Sequence, residues 1–256
     1  MQRSRLLAPA SALPRPGCHR QPHSSRMARC WQPVLLALAI GTPAAHAARP
    51  LDTEDAGANE RATCQTEAWA DHGHAQHEVH AGAACGVGGG LELGAEVVLP
   101  NPRRQGTKER SAGAKFAPEW LDWGQARLAL KWMGTQAREA GTGEDWHWKE
   151  GRWLSALSLV LSPEWTLHAN LGHTFQRGPG KTVRNHAAGL VWTPDDHWLL
   201  FGELVADNHA PANQTVGLRY WVIPEVLGVD LTHSRTNATR GSHHSAVGVG
   251  WYGITF

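Results

Sequence analysis

The 256-residue sequence lacks any apolar segment that could cross a bilayer as a helix. Its longest apolar run without glycine, residues 34–40, has seven members, whereas a spanning helix needs about 20. No acidic residue precedes Asp52, and the only cysteines beyond residue 47 are Cys64 and Cys85. These shortages exclude a helical membrane protein and a scaffold built on many disulfides.

The first 47 residues have the features of an export signal. Arginines precede the apolar run 34–40, and the triplet Ala-His-Ala at 45–47 follows it. This pattern predicts a signal peptide within residues 1–47 that is cut after Ala47. Translation could start at Met1 or at Met27, and the sequence leaves both open.

The exported part has an acidic balance. The whole chain has 24 Lys and Arg and 23 Asp and Glu, and six arginines lie before residue 48, which leaves 18 basic residues against 23 acidic ones. A net charge of −5 argues against a nucleic-acid partner, which would favour a basic face. The remaining length suits one domain.

Apolar and polar residues alternate through most of this part. In residues 125–132, Ala126, Leu128, Leu130 and Trp132 share one face, and polar side chains share the other. Alternation of period two indicates strands with one apolar face. Counting such segments predicts twelve strands, at 62–71, 76–86, 89–99, 111–119, 124–134, 147–161, 165–175, 182–193, 197–207, 214–223, 226–236 and 244–256.

The connections predict how these strands are arranged. Abrupt turns containing proline, at 162–164, 193–196 and 223–225, alternate with longer polar connections. Short turns on one rim and long loops on the other are typical of bacterial outer-membrane barrels. Most tryptophans fall near strand ends, as expected at membrane interfaces. We therefore predict an all-β fold: a closed antiparallel up-and-down transmembrane barrel at 62–256, preceded by a short periplasmic segment at 48–61. A soluble β-sandwich is the alternative.

Two stretches resemble known proteins. The ending Tyr252-x-Ile254-x-Phe256 resembles the signal by which outer-membrane barrels are recognised by their assembly machinery. The stretch from Arg49-Pro50-Leu51-Asp52-Thr53 to Trp69 resembles the mature start of small proteobacterial outer-membrane proteins of the phenol-degradation meta-pathway transporter type. This resemblance implies an outer-membrane barrel of a Gram-negative bacterium that transports small solutes, with apolar or aromatic compounds as candidates.

The first hairpin predicts a disulfide. If the hairpin is centred between His74 and Ala75, Cys64 lies directly opposite Cys85 on a face of small residues. A directly opposed cross-strand pair can reach disulfide distance. Closing a loop of about 20 residues would contribute on the order of 3 kcal/mol.

Charged side chains on the polar face predict a lumen. Placing Lys or Arg on the lipid side costs about 2–4 kcal/mol at the bilayer midplane, so these residues should turn inward. The expected lumen-lining residues are Glu67, Glu92, Glu96, Lys115, Arg127, Lys131, Arg152, His168, Arg184, His186, Glu203, Arg219 and Asp230. They could form a packed ion-pair network, a solute path, or both.

Histidines raise two further possibilities. His72, His74, His77 and His80 are dense enough to suggest metal binding, but their spacing fits no closed zinc motif, so we expect no metal site and no cofactor. The run His243-His244-Ser245 contains a His-x-Ser pattern, which some lipid-modifying barrel enzymes use. Strand parity counted back from Phe256 would turn His243 and Ser245 inward, away from lipid.

These observations predict a non-enzymatic outer-membrane channel for small solutes. Its expected partners are outer-membrane lipid, the barrel-assembly machinery and a small-molecule solute. The alternatives are a non-conducting structural or adhesive barrel, and a lipid-modifying enzyme.

Overall fold

Twelve antiparallel strands form a closed barrel in which β1 pairs with both β2 and β12. The structure, a computed structural model, describes residues 51–73, 77–100, 106–141, 143–178, 182–237 and 242–256. The strands are β1 Thr63–Gly73, β2 His77–Gly88, β3 Leu91–Pro100, β4 Thr107–Phe116, β5 Ala126–Glu139, β6 His147–Val160, β7 Trp165–Gln176, β8 Thr182–Trp192, β9 Trp198–Asp207, β10 Asn213–Ile223, β11 Leu227–Thr236 and β12 His243–Thr255. Closure gives every strand two neighbours, so the sheet has no open edge.

The strands follow the predicted alternation. In β11, Val229, Leu231 and His233 are exposed, while Asp230, Thr232 and Ser234 between them are buried. The exposed set is apolar through the middle of the strand, as a lipid-facing surface requires. No helix among the described residues is long and apolar enough to span a membrane.

The predicted barrel with twelve strands is confirmed, with differences at strand ends. β4 begins at Thr107 instead of 111, and β5 extends to Glu139 instead of 134. Residues 107–110 and 135–139 are polar on both faces, so sequence alternation ends before the hydrogen-bonded ladder does. The longer strands continue beyond the apolar band.

The disulfide is present as predicted. Cys64 is bonded to Cys85, their Cα atoms are 4.1 Å apart, and the pairing runs in register from Cys64–Cys85 to His72–His77. The bond joins the first two strands at the short-turn end of the barrel. It lies on the outward face, because Cys64 shares its side of β1 with the exposed Thr66, Ala68 and Ala70.

The facing of Tyr252 in the terminal strand differs from the prediction. Tyr252 was expected to face outward with Ile254, but its ring is buried in the barrel and only 3 % exposed. Gly253 has a φ of 68°, and the β1–β12 register shifts between Cys64 and Thr66. This irregularity changes the facing of the strand, so Tyr252 points inward while Ile254 pairs beside the outward Cys64.

Candidate functional site: a lumen closed by the N-terminal segment

Residues 51–59 lie inside the barrel, at the end where the short turns are. This N-terminal segment has no regular secondary structure, and most of it is buried. The sequence predicts a short periplasmic segment at residues 48–61, before the barrel. In the structure, residues 51–59 of this segment are bonded to strands on several sides of the lumen.

Side chains of the wall satisfy the backbone of this segment. The Glu203 carboxylate accepts hydrogen bonds from the backbone N–H groups of Asp52 (3.0 Å) and Thr53 (2.8 Å). The Asn170 side chain bonds both the N–H and the C=O of Glu54, each at 2.7 Å. Since a buried backbone group without a partner is costly, these bonds hold an irregular segment in a dry position.

Two more wall side chains accept hydrogen bonds from the backbone of this segment. The N–H of Ala56 donates to Ser158 Oγ at 2.9 Å, and Ser158 Oγ lies 2.8 Å from His168 Nδ1. The backbone N–H of Asn59 donates to Glu92 at 2.8 Å, and its side-chain amide donates to the same carboxylate. Ser158 on β6 and Glu92 on β3 therefore bond the segment directly, and His168 on β7 bonds Ser158.

Ion pairs add to these hydrogen bonds. Lys115 Nζ lies 2.8 Å from Glu54, 3.2 Å from Asp55 and 3.8 Å from Glu92. Lys131 Nζ contacts the other Glu54 oxygen. Burial disfavours the charged form of Glu54, but Lys115 and Lys131 outweigh it and lower its pKa to about 2. Glu54 is therefore held as an anion between two cations.

An apolar contact anchors the start of the segment. Leu51 packs against Val191, Leu199 and Phe201 on the inner wall near the β8–β9 turn. Gly189, two residues before Val191 on β8, leaves room for the segment, because a Cβ there would lie 3.1 Å from Leu51 Cδ2 and 3.4 Å from Thr53 Cβ. The small residue on β8 is thus what allows the segment to approach the wall.

A second buried network lies at the β1–β12 closure. Arg219 is 0 % exposed and forms two hydrogen bonds to Asp230, at 2.6 and 2.8 Å. Glu67 lies 3.9 Å from Arg219 and accepts a hydrogen bond from the Tyr252 hydroxyl. The guanidinium also stacks over the rings of Trp221 and Tyr252. This network joins four strands, β10, β11, β12 and β1, across the seam where the barrel closes.

A cavity of about 410 Å³ lies against the N-terminal segment. Its floor is formed by residues 51–55 and 57, and its wall reaches along β1 from Gln65 to Trp69, away from the short turns. Glu96, Lys131 and Arg152 also line it. The Arg152 Nε atom is buried without a hydrogen-bond partner among the described residues. The lining is about equally polar and apolar, and it includes a cation, Arg152, for which the described residues show no ion pair.

Most predicted lumen residues share the inward positions of their strands. The residues on this face are Glu67, Glu92, Glu96, Lys115, Arg127, Lys131, Arg152, His168, Glu203, Arg219 and Asp230. Arg127 lies at the mouth and pairs with Asp122 in the β4–β5 connection. Arg219 and Asp230 belong to the closure network, while Glu92, Lys115, His168 and Glu203 surround the N-terminal segment.

Arg184 and His186 depart from the prediction. His186 pairs with Leu171, which is 70 % exposed, and Arg184 pairs with His173 on the same outward face. Both lie in the half of β8 nearest the outer loop. The cost of an outward charge falls toward the membrane interface, so the argument that charges must turn inward fails at this depth.

The histidines are divided between two faces. His80 is buried inside, stacked on Trp69 at 4.5 Å, and its ring nitrogens lie 3.1 Å from Asp71 and 3.2 Å from Glu96. His72 and His77 meet edge to face on the outside, and His74 lies outside the described residues. Among the described residues, no group of three or more His, Cys, Asp or Glu is arranged to hold a metal ion.

The His-x-Ser pattern also faces the other way from the prediction. His243 and Ser245 are on the outward face of β12, with Val247, Val249 and Trp251, because the irregularity at Gly253 reverses the parity counted from Phe256. Ser245 Oγ lies 3.0 Å from His233 Nδ1. All Asp and Glu of the described strands face inward, so no strand carboxylate orients this outward pair in the way that a catalytic triad requires.

Comparison with solved structures identifies the fold. A KdgM porin aligns with a TM-score of 0.57 and 10 % identity over 73 % of this chain and 98 % of that one. A NanC porin aligns with a TM-score of 0.55 and 10 % identity over 73 % and 98 % of the two chains. This chain has the fold of porins. A KdgM porin solved in complex with disordered oligogalacturonate gives a TM-score of 0.54.

The sequence comparisons do not extend this result. No protein-family model matches the chain, and no curated protein matches it. The resemblance to phenol-degradation meta-pathway transporters is therefore not confirmed, whereas an outer-membrane barrel of the porin type is supported.

The position of the N-terminal segment in the lumen does not follow from the strand pattern, because these residues show no alternation. A signal was available in Lys115 and Lys131, two lysines expected inside a barrel near the same rim. Such cations need acidic partners, and Glu54 and Asp55 are two adjacent acidic residues that lie outside the predicted strands.

Proposed function

We propose that this protein is an outer-membrane channel for small solutes whose periplasmic end is closed by its own N-terminal segment. In this proposal the barrel lies in the outer membrane of a Gram-negative bacterium, surrounded by its lipids. The short turns face the periplasm, and Ile254 and Phe256 in the terminal strand present the signal for the assembly machinery. Phe256 is 79 % exposed, which suits contact with a partner during assembly.

The observation that carries the proposal is the cavity that ends on residues 51–57. A barrel with twelve strands is wider than one with eight, whose interior side chains can fill the lumen. Here a space of about 410 Å³ remains, and a segment without regular secondary structure closes one end of it. Closure by a separate piece of chain differs from closure by the wall, because such a piece can leave.

The lining carries more carboxylates than cations, so an acidic group on a small polar solute would have to bind at one of the cations. Lys131 and Arg152 contribute cations to the cavity, and a carboxylate can accept two parallel hydrogen bonds from one guanidinium. Lys131 is already paired with Glu54, so Arg152 is the principal candidate to bind the solute. An apolar or aromatic solute, which the family resemblance implied, would have to cover these charged groups.

A non-conducting barrel remains the competing function, and a specific observation favours it. Glu203, Asn170, Glu92 and Lys115 bind the segment from four strands, which is how a permanent plug would be held. The two functions predict different conductance when the N-terminal segment is removed or its contacts are weakened.

The test compares the mature chain with a variant lacking residues 51–59, both refolded into planar bilayers. Low or intermittent conductance is expected for the parent and a larger, steady conductance for the variant. Glu203→Gln should increase the open fraction, because it weakens two backbone contacts of the segment. Glu109→Gln, whose carboxylate pairs with Lys149 away from the segment, is the matched control and should behave as the parent. A deletion variant that folds but passes no ions would contradict the proposal and favour the structural barrel.

A further inference from the structure

The outward face of the barrel carries charges of one sign only. Five basic residues of the strands share positions with the exposed apolar side chains: Lys108, Arg110, Arg138, Arg184 and Arg235. All the acidic residues of the described strands occupy inward positions: Glu67, Asp71, Glu78, Glu92, Glu96, Glu109, Glu139, Glu150, Glu203, Asp207 and Asp230. A random surface would mix both signs.

The five basic residues also lie at one end of the barrel. Each is within four residues of the strand terminus that borders an outer loop. The outward face at the short-turn end carries tryptophan and aliphatic side chains instead, among them Trp165, Trp198 and Trp251. The asymmetry follows the membrane normal, so the two surfaces of the bilayer should present different headgroups to this barrel.

Three of these residues form a cluster with Trp146. Lys108 and Arg138 are cross-strand partners on β4 and β5. Two guanidinium groups lie over the Trp146 ring, with Arg110 Cζ 4.5 Å and Arg138 Cζ 4.9 Å from its centroid. Arg110 Nε also donates to the Gln136 side chain at 2.8 Å. We call Lys108, Arg110, Arg138 and Trp146 the outer basic patch.

The outer basic patch has no anionic partner in the part of the chain that the structure describes. No carboxylate among the described residues lies within ion-pair distance of Lys108, Arg110 or Arg138. Like charges brought together repel one another, and here they are held by aromatic stacking and by a neutral glutamine.

We propose that the outer basic patch binds the phosphate groups of lipid A, the phosphorylated glycolipid of the outer leaflet. Guanidinium groups bind phosphate in paired, charge-assisted hydrogen bonds, and basic side chains at a membrane surface are attracted to anionic headgroups. A tryptophan at the same level suits the boundary between headgroups and hydrocarbon. The patch faces away from the lumen, so it cannot guide a solute through the channel.

This inference depends on the outer-membrane location in the proposed function, but not on conductance. The test uses the mature chain refolded in uncharged detergent, with bound lipid measured by native mass spectrometry. Lipid A with two phosphates should bind more tightly than dephosphorylated lipid A of the same acyl chains, and more tightly than phosphatidylglycerol. The triple variant Lys108→Gln, Arg110→Gln, Arg138→Gln should bind lipid A about a hundredfold more weakly, since three basic groups are lost.

The double variant Arg184→Gln, Arg235→Gln is the control, because it removes outward charges elsewhere on the same rim. It should keep most of the affinity. Equal affinity of the parent for phosphorylated and dephosphorylated lipid A would overturn the proposal without any variant. Equal weakening by the double and triple variants would also overturn it, since binding would then belong to the whole rim. Conductance of the same preparations is measured separately. The absence of lipid A binding would therefore not contradict the proposed channel function.

Discussion

At the scale of single residues, the lumen is organised by buried charges that are paired with groups from other parts of the chain. Arg219 is enclosed by Asp230, Glu67 and two aromatic rings. Lys115 is enclosed by three carboxylates, two of which come from the N-terminal segment. A buried ion pair need not stabilise a protein by itself, but removing one partner leaves an uncompensated charge. These residues are therefore sensitive points of the structure.

Replacing Arg219 should destabilise the barrel strongly. Arg219→Met leaves Asp230 and Glu67 without their cation, at an expected cost of about 3–5 kcal/mol in the free energy of unfolding. Urea titration of the refolded protein, followed by the mobility of the folded band in gels, measures it. Arg127→Met, at the partly exposed pair with Asp122, should cost at most about 1 kcal/mol. Equal effects of the two variants would show that burial of Arg219 has no energetic role.

Glu54 should make closure of the lumen depend on pH. Its pKa is about 2 inside the barrel and near 4.5 when free, so the ionised form favours the inserted segment. That contribution is complete above about pH 4.5 and is lost as the pH falls toward about 2. The facing groups are Lys115 on β4 and Lys131 on β5, with Asp55, Glu92 and His168 nearby. We expect channel conductance to rise as the pH is lowered through this range.

Glu54→Gln supplies the control for this prediction. It removes the titrating group, so conductance should already be raised at neutral pH and its acid dependence reduced. Glu109→Gln should keep the dependence of the parent. A parent chain whose conductance falls in acid would contradict the assigned role of Glu54.

At the scale of strands and segments, alternation predicts much of the structure, and local irregularities limit it. All twelve strands and the Cys64–Cys85 register follow from period two and from one hairpin centre. The facing of Tyr252 and Ser245 does not, because Gly253 changes the parity in a way that composition does not show. The predicted inward facing of Arg184 and His186 is wrong for another reason, because the free-energy cost of an outward charge depends on its depth in the bilayer. The position of the N-terminal segment in the lumen could not be predicted, because its residues show no alternation of apolar and polar side chains.

The disulfide between the first two strands should stabilise the barrel. Cys64→Ser with Cys85→Ser removes a link across a sequence separation of 21 residues, at an expected cost of about 3 kcal/mol. The urea midpoint of the refolded double variant should fall, and adding reductant to the parent should give a similar shift. An unchanged midpoint in both cases would mean that strand pairing alone supplies this stability.

At the scale of the whole molecule, the protein combines a porin-like barrel with a closure made from its own chain. The wall is held by continuous strand pairing, whereas the N-terminal segment is held by side chains that point inward from that wall. The two parts can therefore respond differently to acid, to solute and to mutation. The central claim is that residues 51–59 occupy the lumen of the folded barrel.

A cysteine pair tests this claim most directly. In Thr53→Cys, Gly189→Cys, the two Cβ atoms would lie about 3.4 Å apart, close to disulfide distance, while Cys64 and Cys85 remain bonded to each other. The control is Thr53→Cys, Gly202→Cys, in which the second cysteine lies on the outward face of β9 with no other group within 4 Å. Mass spectrometry of the mildly oxidised, folded chains should show the 53–189 crosslink and no 53–202 crosslink. Free thiols at 53 and 189 in a folded barrel would contradict the account.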